Sequence, residues 1–313
     1  MSHSVYFDSA MPCDARRAAL YEGQLFVRAS LPSVRRFVDF ARGMIEDAFG
    51  TLDPQTAQHE LPVERFAEIL GTLKPAFIHH PESKRHVTAV LEELGCDLDE
   101  TYFDVPRLRS STSSGYLTSG IAYAWHPHRD TWYSAPACQI NFWLPVYDID
   151  ADNAMAFHPA YWNRGVQNSS GEYNYYLWNK MHRGPQVAGM LSHDPRPLPR
   201  ALEPMVLDPQ LRLLCPVGGL LMFSGAHMHS SVPNTSGRTR YSIDFRTIHL
   251  GDASRRRGAR RCDEASTGTT MRDFLRARDL ERVPPSVVAL YDDGTADGGE
   301  TIYRPPGELT RRD

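Results

Sequence analysis

Two histidines and an aspartate at alternating positions, His126, His128 and Asp130, fall in the stretch WHPHRDTWY from Trp125 to Tyr133. Side chains alternate between the two faces of a strand, so the three would point the same way and could hold one metal ion. Two neutral imidazoles and a carboxylate favour iron(II), manganese or zinc. His-x-Asp is a short pattern, and the comparable pair His80-Pro-Glu82 in HHPESKRH reads better as a charged helix start. The setting sets 126–133 apart. Apolar, aromatic, strand-like sequence lies on both sides, where a charged triplet is unfavourable unless it has a function.

A second stretch with chemical content is GGLLMFSGAHMHSSVPNTSGRTRYSIDFRT. It places a strand, Gly219 to Phe223, ahead of His227 and His229, then a polar turn, then a strand carrying Arg240. Between the two stretches, Gln139 and Asn141 share a face of one strand and would be unfavourable in a dry core, so they are expected to line a pocket. Arg129, Trp132, Tyr133 and His227 adjoin the proposed ligands and are candidate substrate contacts.

These residues need a scaffold. The first hundred residues read mostly as helix: Asp14 to Phe26, then LPSVRRFVDFARGMIEDAFG closing at Gly50, then Pro62 to Leu73, then a helix from Pro81 to Gly95. From about Tyr102 the period becomes alternating. YFDVPRLRSS, YLTSGIAYAW, CQINFWLPVYD, NAMAFHP, LRLLCPV, GLLMFSG and RYSIDFRTI are short strand-like runs separated by Gly, Pro, Asn or Asp. Short strands after a helical start fit a mainly β fold, a jelly roll with an N-terminal helical layer. A long interruption, 161–204, offers flat aromatic faces beside amides and hydroxyls, which suits a polar substrate with carbon faces, such as a sugar. The sequence is expected to form one domain over 1–313: a helical layer 1–101, a β core 102–250 with its insert, and a C-terminal extension 251–313. In that extension SRRRGARR is expected to be a solvated loop, MRDFLRARDL a short helix and the Pro/Gly-rich tail loosely held.

Composition narrows the function classes. The chain has 313 residues, 41% of them hydrophobic, enough for a sizeable core. A net charge of −4 gives no reason to expect nucleic acid or an acidic membrane surface as partner. Five cysteines without a C-x-x-C fit a reduced, cytoplasmic protein. There is no signal-like apolar run at the N-terminus and none of membrane-spanning length. A phosphate-binding glycine loop and a G-x-S-x-G elbow are both missing, which argues against nucleotide-dependent and α/β-hydrolase chemistry.

His128-x-Asp130, followed by His229-x-Ser231-x-x-Asn234-x-Ser236-x-x-x-Arg240, resembles the phytanoyl-CoA dioxygenase-like branch of the iron(II)/2-oxoglutarate oxygenases. LPVYDIDADNAMAFHPAYW resembles that branch's acidic turn, small apolar strand and Pro-containing loop, with Asn153-Ala154 and His158-Pro159-Ala160 departing from its usual Asn-Gly and Pro-Gly-Ser-His. The resemblance implies a double-stranded β-helix (jelly roll, cupin-like) in which His128, Asp130 and His229 hold iron(II), and 2-oxoglutarate and O2 take the remaining positions. It further implies that Arg240 pairs with the distal carboxylate of 2-oxoglutarate, with Gln139 and Asn141 toward the same cosubstrate. The implied reaction is an oxidation with release of succinate and CO2; together with the aromatic and amide content of 161–204 the expectation is hydroxylation of a small polar metabolite, a sugar or natural-product intermediate. Asp130 argues against halogenation, since family halogenases replace that carboxylate. A cupin-type metal-dependent isomerase or sugar-binding protein stays open, because Gly120 followed by His126-x-His128 matches the opening of a cupin motif, although the expected Glu is missing. A metal-free structural protein is the third reading.

Overall fold

The computed structural model describes residues 4–118, 121–122, 126–182, 189–191, 194–292 and 294. Trp125, Gly120, part of the expected strand 116–125 and nearly all of the tail 292–313 lie outside them; the described part of 116–125 is turn and bend.

The helices form where apolar spacing and caps agree. After the short strand β1 (Val5–Phe7) comes α1 (Cys13–Tyr21), and after the strand β2 (Leu25–Arg28) comes α2 (Pro32–Phe49). In α2 Pro32 occupies the first turn, Val34, Phe37, Val38, Ala41, Ile45 and Phe49 form one buried stripe, and Gly50 at φ 66° ends it. Helix α3 (Val63–His79) runs past the expected end at Leu73 and carries Pro75 within it. The His80 side chain then accepts from the Glu82 N–H at 3.1 Å and starts α4 (Pro81–Glu93), so HHPESKRH is a helix cap. The expected helix 14–26 stops at Tyr21, because Leu25–Arg28 pairs with the large sheet instead.

The remaining elements, in chain order, are strands β3 (Thr101–Phe103), β4 (Arg107–Ser111), β5 (Ile140–Pro145) and β6 (Met155–Phe157), and helix α5 (Tyr175–His182). Then follow β7 (Leu211–Leu213), β8 (Leu220–Ser224), β9 (His229–Ser231), β10 (Arg240–His249), α6 (Leu250–Ser254), β11 (Leu275–Arg276) and α7 (Pro285–Val288). Eight strands form one sheet in the order β1-β2-β8-β5-β10-β3-β11, with β4 also paired to β10; β7, β6 and β9 form a second. The expected helix over MRDFLRARDL is instead a 3-10 turn, Thr270–Asp273, and the edge strand β11, since Leu275 and Arg276 find open hydrogen-bonding groups on β3.

Alternation along the strands builds two cores. Ile140, Phe142 and Leu144 of β5 and Tyr241, Ile243 and Phe245 of β10 pack with the apolar stripes of α2–α4. The opposite face meets the small sheet, burying Trp143, Leu221 and Phe223 against Met155, Phe157 and Leu213. The result is three layers, helices on a large sheet on a small sheet, and the sheets do not close into a continuous barrel among the described residues. Among those residues no helix is long and apolar enough to cross a membrane.

Candidate metal centre and its surroundings

His128 does not lie on a regular strand, and the shared-face explanation for 126, 128 and 130 is corrected by the structure. His128 and His229 form an isolated antiparallel bridge, each backbone N–H donating to the other's carbonyl at 3.0 Å. Asp130 opens a 3-10 turn, Asp130–Tyr133, and is pinned by its N–H donating to Gly225 O at 2.9 Å. Gly225 is needed there: a Cβ would sit 3.1 Å from Gln139 Nε2 and 3.4 Å from Asp130 Cβ. The bridge and the turn thus bring together three residues that the strand period alone would not. His126 is exposed and lies outside the cluster.

The ligand atoms of His128, Asp130 and His229 lie within 4.8 Å of one another, and all three residues are buried. Asp130 Oδ1 is 3.6 Å from His128 Nε2 and 3.9 Å from His229 Nε2. The other ring nitrogens face carbonyls: His128 Nδ1 is 2.7 Å from His126 O and His229 Nδ1 is 2.9 Å from His227 O. A carbonyl only accepts, so each Nδ1 carries the proton and each Nε2 presents its lone pair to the centre. Burial, reinforced by His128 and only partly opposed by Asp130, pushes His229 down to about 3, which keeps it in the neutral, ligating form. Burial would raise the Asp130 carboxyl, but the neighbouring His128 imidazole and the charge of Arg246 hold it well below the usual range. Two imidazole nitrogens and one carboxylate oxygen fit a divalent first-row ion with open coordination positions.

Gln139 and Asn141, expected from their shared strand face to line a pocket, lie beside Asp130. Both donate to Asp130 Oδ2, at 2.8 and 2.7 Å, and so orient the carboxylate. Arg246, which sequence reasoning missed, brings its Nε to 3.8 Å from the same oxygen while pairing with Asp104 at 3.1 Å and Asp244 at 3.3 Å. Its signal was available: Arg240, Ser242, Asp244 and Arg246 alternate on one face of β10.

Arg240 lies further along that face, buried, with its Cζ 5.7 Å from the centre of the Trp143 ring and Nη1 donating to Asn153 O at 2.9 Å. Its Nε and the hydroxyl of buried Ser242 have no hydrogen-bond partner among the described residues. Burial lowers the Arg240 pKa to about 10, with Asp244 opposing and Arg109 adding to the shift. The guanidinium and the hydroxyl, two residues apart on one strand face, are both groups able to donate to a carboxylate. Arg238 is exposed and faces Asp150 at 3.3 Å.

Three candidate substrate contacts have other partners. Arg129 is 3.2 Å from Asp263 and donates to the carbonyls of Ala226, Tyr161 and Arg164. Trp132 Nε1 donates to Asp263 Oδ1 at 2.8 Å, so both residues brace the C-terminal extension against the site. Asp263, hidden beside the basic cluster, was missed. His227 is buried with Nε2 3.1 Å from Gly23 O and its ring against Trp162. Tyr133 stays at the centre: its ring stands edge-on to His128 at 5.5 Å, and its hydroxyl donates to Pro199 O at 3.1 Å. From it an aromatic wall runs outward through Tyr173 at 5.5 Å and Trp178 a further 6.0 Å on, with Arg196 over the Trp178 ring at 5.4 Å. Residues 183–188 and 192–193 of this insert lie outside the described residues.

No protein-family model matches the chain, and no curated protein matches it. Among solved structures the chain is similar to EvdO2 from Micromonospora carbonacea var. aurantiaca, at 12% identity over 77% of this chain and 92% of that one, with a TM-score of 0.42. It is similar to the epimerase SnoN in complex with Fe3+, alpha ketoglutarate and nogalamycin RO, at 13% identity over 75% and 83% of the two chains and a TM-score of 0.39. A third likeness is to the non-heme alpha ketoglutarate dependent carbocyclase SnoK from nogalamycin biosynthesis, at 9% identity over 77% and 85% and a TM-score of 0.39. With identities this low and TM-scores below 0.5, the function has to be argued from the site's own geometry.

Proposed function

We propose that the protein is an iron(II)- and 2-oxoglutarate-dependent dioxygenase of the jelly-roll type that hydroxylates a small polar metabolite, a sugar or natural-product intermediate. The observation that carries this reading is the convergence of two imidazole Nε2 atoms and one carboxylate oxygen within 4.8 Å, with Arg240 and Ser242 on the same face of β10 as Arg246, which approaches Asp130. When bound, iron(II) and 2-oxoglutarate supply the oxidising power, turning O2 and the cosubstrate into succinate, CO2 and an oxidised substrate. The chain's part is to hold and to exclude. His128, Asp130 and His229 would hold the ion through three ligand atoms, and a first-row divalent ion so held would have coordination positions left for cosubstrate and O2. Gln139, Asn141 and Arg246 fix the second oxygen of Asp130. Arg240 and Ser242 receive the distal carboxylate, since a guanidinium fork matches a carboxylate in both charge and shape. Trp143, Leu221 and Phe223 keep the space between the sheets dry. Tyr133, Tyr173 and Trp178 offer flat faces to the carbon side of a substrate, and Arg196 provides a polar edge.

The test is succinate release by the full-length chain with iron(II), 2-oxoglutarate and O2, screened over sugars, amino acids and acyl thioesters. Release that requires both iron and 2-oxoglutarate and rises with a polar compound supports the proposal. Metal-dependent turnover of a sugar without 2-oxoglutarate would favour the isomerase reading. Stimulation by acyl thioesters alone would overturn the substrate class.

A further inference from the structure

Away from the metal centre, the structure brings together two cysteines that are 83 residues apart in sequence: Cys13 Sγ and Cys96 Sγ are 3.4 Å from each other. Cys13 opens α1, and Cys96 lies in the connection after α4. Two arginines of α1 flank them, with Arg17 Nη1 3.5 Å from Cys13 Sγ and Arg16 Nη2 3.8 Å from Cys96 Sγ. Both thiols are half-buried and line a cleft with ≈ 20 Å³ open to water-sized molecules, floored by Ile140 and Thr247 on the back of the sheet that carries the site. A cavity needs roughly 10–15 Å³ by this measure to hold one water. The cleft is therefore large enough to admit a molecule the size of hydrogen peroxide.

We propose that Cys13 and Cys96 are a peroxide-reactive thiol pair that closes to a reversible disulfide, with Cys13 as the attacking and Cys96 as the resolving sulfur. The Cys13 thiolate attacks one peroxide oxygen and the O–O bond breaks. This leaves a sulfenic acid on Cys13, and the departing hydroxide takes up a proton to become water. Cys96 sulfur then attacks Cys13 sulfur, the S–OH bond breaks, and the Cys96 proton leaves with the hydroxide as a second water. Two thiols lose two electrons and one peroxide gains them.

The roles follow from the surroundings. The hydrogen bond with Cys96 lowers the Cys13 thiol; burial opposes this, and the charges of Arg16 and Arg17 assist it, so Cys13 is the more readily ionised of the pair. Cys96 is raised by that same hydrogen bond and by burial, and keeps the proton. The other three thiols are poor competitors: burial pushes Cys138 and Cys215 up to about 12 and raises Cys262. The inference does not depend on the proposed oxygenase activity.

The experiment treats the full-length chain, with a metal chelator present, with one equivalent of hydrogen peroxide, followed by thiol counting and peptide mapping without reductant. The proposal expects two of the five thiols to disappear, a Cys13–Cys96 cross-link, and full recovery with dithiothreitol. Cys96→Ser should stop at a Cys13 sulfenic acid that dimedone captures. Cys13→Ser should consume peroxide at least about tenfold more slowly and form no cross-link. In the unsubstituted protein, iodoacetamide at pH near 7 should label Cys13 ahead of Cys262; that readout does not depend on either variant folding. Oxidation that falls first on Cys262, labelling of Cys13 no faster than Cys262, or a cross-link that forms only after unfolding would each overturn it.

Discussion

Replacing Arg240 by Gln separates the cosubstrate socket from the metal site. In the unliganded protein the Arg240 guanidinium has Asn153 O as its hydrogen-bond partner, an unpartnered Nε and a pKa lowered to about 10 by burial. Removing a buried charge of this kind should leave the unliganded melting temperature unchanged or raise it slightly. Binding is affected in the opposite sense. Losing a charge-assisted pair that leaves the partner carboxylate buried costs about 2–5 kcal/mol, an affinity loss of about 30-fold or more. At 2-oxoglutarate near 100 times its Kd the unsubstituted protein gains about 2.7 kcal/mol, on the order of 5 °C in melting temperature. At the same concentration the variant is left with under about 1 kcal/mol, a shift of under about 2 °C. The assay is thermal unfolding with and without 2-oxoglutarate, anaerobically, with manganese or zinc in place of iron so that no turnover occurs. Arg238→Gln, which changes an exposed residue facing Asp150, is the control. A full 2-oxoglutarate shift in Arg240→Gln, or its loss in Arg238→Gln, would refute the assignment of the socket.

Three further outcomes follow from the surroundings of the site. Arg246→Gln removes the cation 3.8 Å from Asp130 Oδ2 and should weaken metal binding about 10–100-fold with the fold intact by circular dichroism; unchanged affinity would limit Arg246 to pairing Asp104 and Asp244. Asp263→Ala leaves Arg129 and Trp132 without their shared carboxylate and should destabilise the chain by about 3–5 kcal/mol in urea unfolding; a loss below about 1 kcal/mol would mean that the brace is not structural. Lys74 donates to Ile121 O and is pushed down to about 7 by burial, with Arg109 adding and Asp244 opposing, against an ordinary value of about 10.4 in an unfolded chain. Between those values the unfolded state binds more protons, so this group's penalty on stability is full below about pH 7 and fades as pH rises toward about 10.4. Lys74→Met should therefore gain on the unsubstituted protein most near pH 6.5, with that gain shrinking by up to about 1.4 kcal/mol per pH unit above pH 7; a difference that stays constant with pH would contradict the shift.

The sequence showed most clearly what depends on nearby residues. Helix α2 was legible because Pro32, a 3–4 spaced apolar stripe and Gly50 all agree. The strands β5 and β8 were legible because their faces alternate between two cores, and β10 because apolar and polar residues alternate along it. Among site residues, His128 and Asp130 came from type and spacing, together with His126, and His229 from the family resemblance; the structure brings the ligand atoms of His128, Asp130 and His229 together by a bridge and a turn rather than by strand period. What stayed hidden depends on partners distant in sequence. Leu25–Arg28 is too short and apolar to tell from a helix end until β8 is beside it. Asp263 looked like one more charge in a basic loop, yet its carboxylate holds Arg129 and Trp132. Gln139 and Asn141 were placed on one strand face as pocket residues, but their bonds to Asp130 stayed hidden because a turn, not strand period, returns that carboxylate to them. The same separation hid Cys13 and Cys96 from a count of cysteines.

The central claim is that one divalent ion is held by His128, Asp130 and His229. Its most direct test is metal stoichiometry, by anaerobic titration of iron(II) or manganese into the unsubstituted chain and into His128→Ala, Asp130→Ala, His229→Ala and His126→Ala. His126 enters the site only through its carbonyl, which its replacement keeps. The account predicts one ion per chain for the unsubstituted protein and for His126→Ala, and no tight ion for the other three. Retention of the ion by any of those three, or its loss from His126→Ala alone, would contradict it.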